Sequence, residues 1–466
     1  MALNVVIMAA GRGTRMKSRQ PKALHRLAGR HLLQHVLDMT TQLGAARIIA
    51  VTGHCAEAVE AAVRAPQLVF VRQTEQLGTG HAVQKALPAL LDGGTTLILN
   101  GDVPLIRPAT ARALIELCGA RQLALSTAVL PDPNGYGRIV RSDAAGRDAE
   151  QGGRVRAIVE HKDASSAERT VREIYTGMMA VPTAHLKRWL PRLVNHNAQG
   201  EYYLTDIVAM AVADQVPVLA AHPDDPAEVL GVNSASELAA LERRYQLGQA
   251  EALMEAGVRL ADAARFDLRG TLQCASDVEI DVGCVFEGNV RIGEGARIGA
   301  HCVIRNATID AGALIHPFTF MDGESKGVRI GPAATVGPFA RLRPGADLGP
   351  DVHVGNFVEV KNSTLAKGAK ANHLAYVGDA SLGERVNVGA GSITANYDGA
   401  NKHRTLIGDD VHVGSNCVLV APVEVGAGAT IGAGSVVSRH APAGKLTVAR
   451  AKQVSIEGWK RPAKKK

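Results

Sequence analysis

Along the second half of the chain, branched apolar residues recur every six positions, each usually followed by glycine or another small residue. Ile280, Phe286, Ile292, Ile298 and Ile304 begin the series, and Ile330, Val336, Leu342, Leu348, Val354 and Val360 resume it. Leu382 and Val388 continue it, and Ile407, Val413, Leu419, Val425, Ile431 and Val437 close it. An α-helix turns the sixth residue off its buried stripe, so this period excludes an amphipathic helix. A parallel β-helix accommodates it: each repeat gives one short strand, three repeats close a triangular coil, and coils stack about 4.8 Å apart with the apolar residue inward. The small residues then fall at corners, where bulk is excluded. The beat fails between Leu365 and Leu382, around Lys370-Ala-Asn-His-Leu-Ala-Tyr-Val-Gly-Asp379. That failure predicts an insertion released from the stack and available for function.

The first half has a different rhythm. Asn4 to Ala10 reads as a buried strand, as do Arg47 to Thr52, Leu68 to Arg72 and Thr95 to Leu99. They alternate with helical stretches such as His31 to Gly44 and Gly80 to Leu91, which predicts an α/β sheet with ligands at the strand ends. Between the halves, Glu237 to Gly257 places Leu238, Leu241, Tyr245 and Leu253 at helical spacing and predicts a connecting helix. The expected division is a nucleotide-type domain over residues 1–235, a helical linker over 236–256, and a β-helix with a basic tail over 257–466.

Composition narrows the classes. The 466 residues exceed one ordinary core, and the 3% aromatic content suits a solenoid of Ile, Val, Ala and Gly. Five of the seven net positive charges lie in the last eight residues, Trp459 to Lys466, so the body carries no distributed basic stripe of the kind nucleic-acid binders use. The tail is either a solvated terminus or a partner for a polyphosphate ligand. Six cysteines without a C-x-x-C pair fit a reducing compartment. The apolar run over residues 3–10 is too short to span a bilayer. A cytoplasmic protein without membrane insertion is expected.

Candidate chemistry sits in two places. Gly11-Arg-Gly-Thr-Arg-Met16 directly follows the first strand, where backbone N–H groups can face phosphate, with Arg12, Arg15 and Lys22 adding charge. It is neither a Walker A loop nor a full dinucleotide fingerprint. Asp102, in Asn100-Gly-Asp-Val-Pro104, can hold a divalent ion or merely close a turn. In the second half His373 is the candidate general base, since an imidazole accepts a proton from an attacking amine near neutral pH; a purely structural histidine is the alternative. Arg343, Lys361, Tyr376 and Asn387 offer cations and hydrogen bonds suited to a sugar phosphate, and Glu359 can orient or polarise the histidine or the amine.

The hexapeptide beat resembles that of the left-handed β-helix acyltransferases, a family of trimers with sites between neighbouring prisms. The first half, through M-A-A-G-R-G-T-R-M, Pro21-Lys22, Gln76-Leu-Gly-Thr-Gly80, G-D-V-P and Gly135-Tyr-Gly-Arg138, resembles the sugar-phosphate nucleotidylyltransferases. Ile158-Val-Glu-His-Lys162, Gly200 to Asp206 and Gly231-Val-Asn233 narrow this to uridylyltransferases acting on N-acetylglucosamine 1-phosphate. With Arg341 to Gly345, His353 to Lys361, Asn387 to Gly391, Asn396 to Lys402 and the closing G-W-K-R-P-A-K-K-K, the whole chain resembles the bacterial bifunctional acetyltransferase and uridylyltransferase family.

The resemblance implies an α/β Rossmann-like nucleotidylyltransferase domain followed by a left-handed parallel β-helix. It implies acetylation of glucosamine 1-phosphate by acetyl-CoA, then uridylyl transfer from UTP, giving UDP-N-acetylglucosamine for peptidoglycan and lipopolysaccharide synthesis. Met8, Ala9, Ala10, Gly11, Arg15 and Lys22 would surround the nucleotide, with Gln73, Gly78 and Thr79 on the uracil and ribose side. Asn100 and Gly101 lead into Asp102, which with Asn233 would bind Mg2+, while Gly137, Glu160 and Tyr175 would face the sugar. Asn100 and Tyr175 depart from the family, which commonly has Tyr and Asn respectively, and this bears on sugar contacts. His373 and Glu359 would be catalytic, with Arg343, Lys361, Tyr376 and Asn387 at the acetyl acceptor. Ala390, Asn396, Tyr397, Ser415, Ala433 and Arg450 would meet acetyl-CoA, and Lys460, Arg461 and Lys464 to Lys466 its phosphates. A homotrimer is implied. The rivals are a pyrophosphorylase of ADP-glucose or thymidylyl type whose β-helix is regulatory, which leaves His373 and Lys361 idle, and a nucleotide-sugar sensor without turnover.

Overall fold

The computed structural model describes residues 2–142, 153–462 and 464. The chain divides into two compact units, Met1–Tyr245 and Gln246–Lys466. Among the described residues no helix is long and apolar enough to cross a membrane.

In the first unit a nine-stranded sheet follows the order Val218–Ala221, Leu123–Val129, Glu173–Pro182, Thr95–Asn100, Leu3–Met8, Arg47–Thr52, Leu68–Arg72, with Arg138–Arg141 and Val155–Val159 paired at its side. The Leu3–Met8 strand is central and parallel to both neighbours. Its Val5, Val6 and Ile7 are fully buried because helices cover both faces, the arrangement a parallel sheet requires. Leu32–Thr41 buries Leu33, Val36 and Leu37 against one face, and Thr79–Ala86 buries Ala82, Val83 and Ala86 against the other. Met8 pairs with Asn100, so the two central strands end side by side, and the loops after them share one edge.

The second unit is a parallel β-helix. One face stacks Ile280, Ile298, Ile315, Val336, Val354, Ala371, Val388, Val413 and Ile431 in register. A second column runs Phe286, Ile304, Met321, Leu342, Val360, Val377, and a third runs Ile292, Ile309, Ile330, Leu348, Leu365, Leu382, Ile407, Val425. These side chains form one continuous core. The open edge of the first coil is capped by Gln246 of the helix Ala235–Glu255: its amide donates to the Leu268 carbonyl at 3.0 Å and accepts from the Leu268 N–H at 2.7 Å.

The expected insertion between Leu365 and Leu382 is absent. Lys370–His373, Tyr376–Gly378 and Ala380–Leu382 are ordinary strands of the stack. Ala371 and Val377 occupy its inward positions at 0% and 1% exposure. The beat was hidden because an alanine fills one inward position and because Val377 and Leu382 are five residues apart across a tighter corner. A longer loop leaves the coil after Ile393–Ala395, closed by a bridge between Tyr397 and Lys402.

Candidate functional sites

The edge where the Leu3–Met8 and Thr95–Asn100 strands end carries a cavity of about 460 Å³. Met8, Ala9, Ala10, Gly11, Lys22, Gln73, Gly78, Thr79, Asn100, Gly101 and Asp102 all line it, together with Arg12, Thr14 and Gln76. Gly13 holds φ +61° in the turn, and a Cβ there would lie 2.7 Å from Lys22 Cβ, so glycine is what lets the loop fold over the lysine. Gln76 donates to the Ala10 carbonyl at 2.9 Å and accepts from Arg12 at 3.2 Å, pinning the loop from across the cavity. Gln73 donates to the Gly78 carbonyl at 3.1 Å, and Thr79 Oγ1 accepts the Leu204 N–H at 3.1 Å.

Charge converges at the rim. Lys22 Nζ forms an ion pair with Asp102 and donates to Asn233 Oδ1 at 2.8 Å, and Arg15 donates to the same Asn233 oxygen at 2.7 Å. The backbone fixes this meeting, because the Val232 N–H donates to the Asp102 carbonyl at 3.0 Å. A carboxylate and an amide oxygen facing one ammonium form a hard oxygen donor pair. That set fits a divalent cation completed by phosphate oxygens and water, with Lys22 as the cation now standing between them.

Gly137, Glu160 and Tyr175 lie outside this cavity's lining, and the first and last are hydrogen-bonded to each other. The Tyr175 N–H donates to the Gly137 carbonyl at 2.9 Å, and Thr205 Oγ1 donates to Glu160 Oε1 at 3.0 Å. Burial pushes the Glu160 carboxyl above its usual range. Burial, then the Glu160 charge, pushes the Tyr175 phenol well up, and its hydroxyl has no hydrogen-bond partner among the described residues. Asn100 points its amide at Gly177, where a Cβ would meet Asn100 Nδ2.

On the β-helix, His373 and Asn356 are register partners in adjacent coils. His373 Nδ1 lies 3.0 Å from Asn356 Oδ1, so it donates and leaves Nε2 with a free lone pair. Glu359 does not take that place: it is paired with Arg343 at 2.8 Å and Arg341 at 3.2 Å. Lys361 lies against Lys402 of the loop beyond Tyr397, and this contact is the first cause, ahead of burial, that lowers its pKa. Tyr376 accepts from the Asn396 amide at 3.4 Å. Asn387 pairs with Lys370 and His412 on the His373 face. Ala390, Ser415, Ala433 and Arg450 climb one edge: the Ala390 carbonyl accepts the Asn416 N–H at 2.7 Å, that of Ser415 the Gly434 N–H at 2.8 Å, and that of Ala433 the Arg450 guanidinium at 2.7 Å. Tyr397 is 61% exposed. Lys460, Arg461 and Lys464 are exposed, and Lys465 and Lys466 fall outside the described residues.

Sequence reasoning missed Asn356, Lys402, Asn362 and Asp379. The first lay one position off the sequence beat, because this coil has 17 residues rather than 18 and sets Asn356, not Gly355, under His373.

Residues 5–255 match the MobA-like NTP transferase domain, and residues 273–306 and 404–439 match the bacterial transferase hexapeptide (six repeats). A "Bifunctional protein GlmU" of Methylibium petroleiphilum is 69% identical over 476 residues, covering 100% of both chains. Proteins with the same name from Acidovorax sp. and Cupriavidus necator are 63% and 57% identical, each comparison covering 99% of both chains.

Proposed function

Because the chain belongs to the family of bifunctional GlmU proteins, we infer that it is a two-site transferase making UDP-N-acetylglucosamine for cell-wall precursors. The second unit acetylates glucosamine 1-phosphate with acetyl-CoA. The first then joins N-acetylglucosamine 1-phosphate to UMP from UTP and releases pyrophosphate. The observation that carries this reading is that each unit by itself gathers cations beside a distinct reactive constellation: Arg15 and Lys22 at Asp102 and Asn233, and Lys361 and Lys402 in the prism that presents His373.

In the first site, the Gly11 to Thr14 turn and Lys22 bind the UTP phosphates, and Gln73, Gly78 and Thr79 hold the base and ribose. Gly137, Glu160 and Tyr175 face the sugar. Its phosphate oxygen attacks the α-phosphorus in line and pyrophosphate departs. Positioning and cationic screening supply the rate, so no covalent nucleophile is needed. Asp102 and Asn233 are the residues that would hold Mg2+, which when bound neutralises phosphate charge. Lys22 and Arg15, already hydrogen-bonded to Asn233, then turn to the phosphates.

In the second site, Nε2 of His373 takes a proton from the glucosamine amine as it attacks the acetyl thioester, the C–S bond breaks, and CoA leaves as its thiol with that proton. Asn356 fixes the tautomer that makes this possible. Arg343, Lys361 and Lys402 surround the sugar phosphate, with Tyr376 and Asn387 on its hydroxyls. Acetyl-CoA runs along the edge from Ala390 and Asn396 to Arg450. Glu359 acts through its pairs with Arg341 and Arg343, which set the latter's reach. The protein works in the cytoplasm, where these substrates are made.

A homotrimer fits the prism's surface. Phe318, Phe339 and Phe357 stack at 5.1 and 5.5 Å along one corner and are about half exposed, and Leu374, beside His373, extends the stripe. An apolar ladder ending at the proposed base is the surface a neighbouring prism would cover.

The order of the two reactions gives the test. Supplied with glucosamine 1-phosphate, UTP and a divalent metal, the enzyme should release pyrophosphate only once acetyl-CoA is added. Pyrophosphate from glucosamine 1-phosphate with no thiol released would leave the β-helix regulatory and overturn the reading.

A further inference from the structure

Asp379 is a carboxylate that the reaction as described does not use. It is 5% exposed, and amides occupy both its oxygens. Asn362 donates to Oδ1 at 2.5 Å, and Asn396 donates to Oδ2. Its backbone is tied as firmly, with its N–H donating to the Lys361 carbonyl at 3.0 Å and its carbonyl accepting from the Thr405 N–H at 3.2 Å. Two of these partners sit on the walls of the acetyl-transfer site: Asn396 also reaches the Tyr376 hydroxyl, and Lys361 is packed against Lys402.

Two ammonium groups in contact repel. Lys361 faces the charges of Lys402 from the loop beyond Tyr397, of Arg343 from the coil below, itself paired with Glu359, and of Asp379 from the coil above, which supplies the opposing negative charge. Burial would raise the Asp379 carboxyl. The amides of Asn362 and Asn396 and the charges of Lys361 and Lys402 outweigh it and hold the carboxyl below its ordinary range, so the group is ionised where the enzyme works.

We propose that Asp379 is a positioning residue of the acetyl-transfer site, whose buried charge keeps Lys361 and Lys402 together and protonated until the sugar phosphate arrives, and whose oxygens fix Asn396. The proposal rests on the acetyltransferase reading of this unit. Without the carboxylate, the lysine pair loses its counter-charge, and Lys361 gives up its proton at lower pH. Phosphate binding then weakens as pH rises. The acetyl chemistry at His373 is touched less, because a charge that acts equally on bound substrate and transition state moves KM rather than kcat.

The test is the KM for glucosamine 1-phosphate in acetyl transfer by the full chain between about pH 7 and 9, for wild type, Asp379→Asn and Asp379→Glu. Wild type should stay nearly flat. Asp379→Asn should start about tenfold higher and climb further with pH, with kcat changed only a few fold. Asp379→Glu keeps the charge but displaces the amides, so its KM should rise without the added pH slope. Uridylyl transfer by the same samples reports folding of the rest of the chain. A flat Asp379→Asn profile, or an Asp379→Glu profile as steep as the one predicted for Asp379→Asn, overturns the proposal, and either variant decides alone if the other fails to fold. Wild type that releases no thiol at any pH would instead defeat the acetyltransferase reading.

Discussion

The ammonium of Lys22 is ion-paired with the carboxylate of Asp102 at the edge where the Leu3–Met8 and Thr95–Asn100 strands end. A divalent cation held by Asp102 would compete for that carboxylate and leave Lys22 for the nucleotide. Asp102→Ala should therefore reduce pyrophosphate release about 10³-fold. A chelator should stop pyrophosphate release from N-acetylglucosamine 1-phosphate while leaving thiol release intact. Parallel assays of the two products check both.

Asn356 determines which nitrogen of His373 carries the proton. Asn356→Ala should lower acetyl-transfer kcat by about 10- to 100-fold by freeing the wrong tautomer. Asn356→Asp, which keeps an acceptor and adds a charge, should retain activity and move the acidic limb of the rate profile to higher pH. A pH profile of kcat/KM for the three proteins measures this, with uridylyl transfer as the unchanged reference.

Burial raises the folded-state pKa of Glu160 above its unfolded value. The protonated form is thus favoured by folding, so this contribution to stability is complete below the unfolded carboxylate pKa and is lost as pH rises through the folded one. Glu160→Gln should make the first unit more heat-stable than wild type near neutral pH, with the gain shrinking toward the ordinary carboxylate range. The same variant should raise the KM for N-acetylglucosamine 1-phosphate. Calorimetry at several pH values and steady-state kinetics test the two halves of this trade.

The stripe of Phe318, Phe339 and Phe357 is expected to lie between subunits. Burying the exposed half of one such ring stabilises an interface by about 1 kcal/mol. Placing aspartate at both Phe339 and Phe357 should break the assembly and abolish acetyl transfer, with uridylyl transfer kept. Light scattering beside the two assays would show it, and an assembly of unchanged mass would reject this surface.

Much of this architecture was legible in the chain because a solenoid repeats a single physical demand, an apolar residue pointing inward. Ile280 with Ile298, and Val336 with Val354, fall three beats apart within their two runs, and the structure joins the pairs into one column through Ile315. Where alanine met that demand, at Ala371, the pattern vanished and an insertion was expected that does not exist. The phosphate turn was legible because glycines mark positions side chains cannot occupy. Partners brought together by folding were harder. Lys402 meets Lys361 only because a loop folds back over the coil, and no spacing announces it. Asn356 under His373 and Asn362 under Asp379 follow from a coil of 17 residues, one short of the 18 that three six-residue repeats supply, so the beat alone points to Gly355 and Lys361 instead.

On this reading one chain carries two independent active sites. The measurement that tests it most directly gives wild type, His373→Ala and Asp102→Ala the substrates glucosamine 1-phosphate, acetyl-CoA and UTP with Mg2+, and follows free thiol and pyrophosphate separately. The prediction is that His373→Ala loses thiol release yet makes pyrophosphate when N-acetylglucosamine 1-phosphate is supplied, and that Asp102→Ala does the reverse. Loss of both products in either variant, with the fold intact, would contradict it.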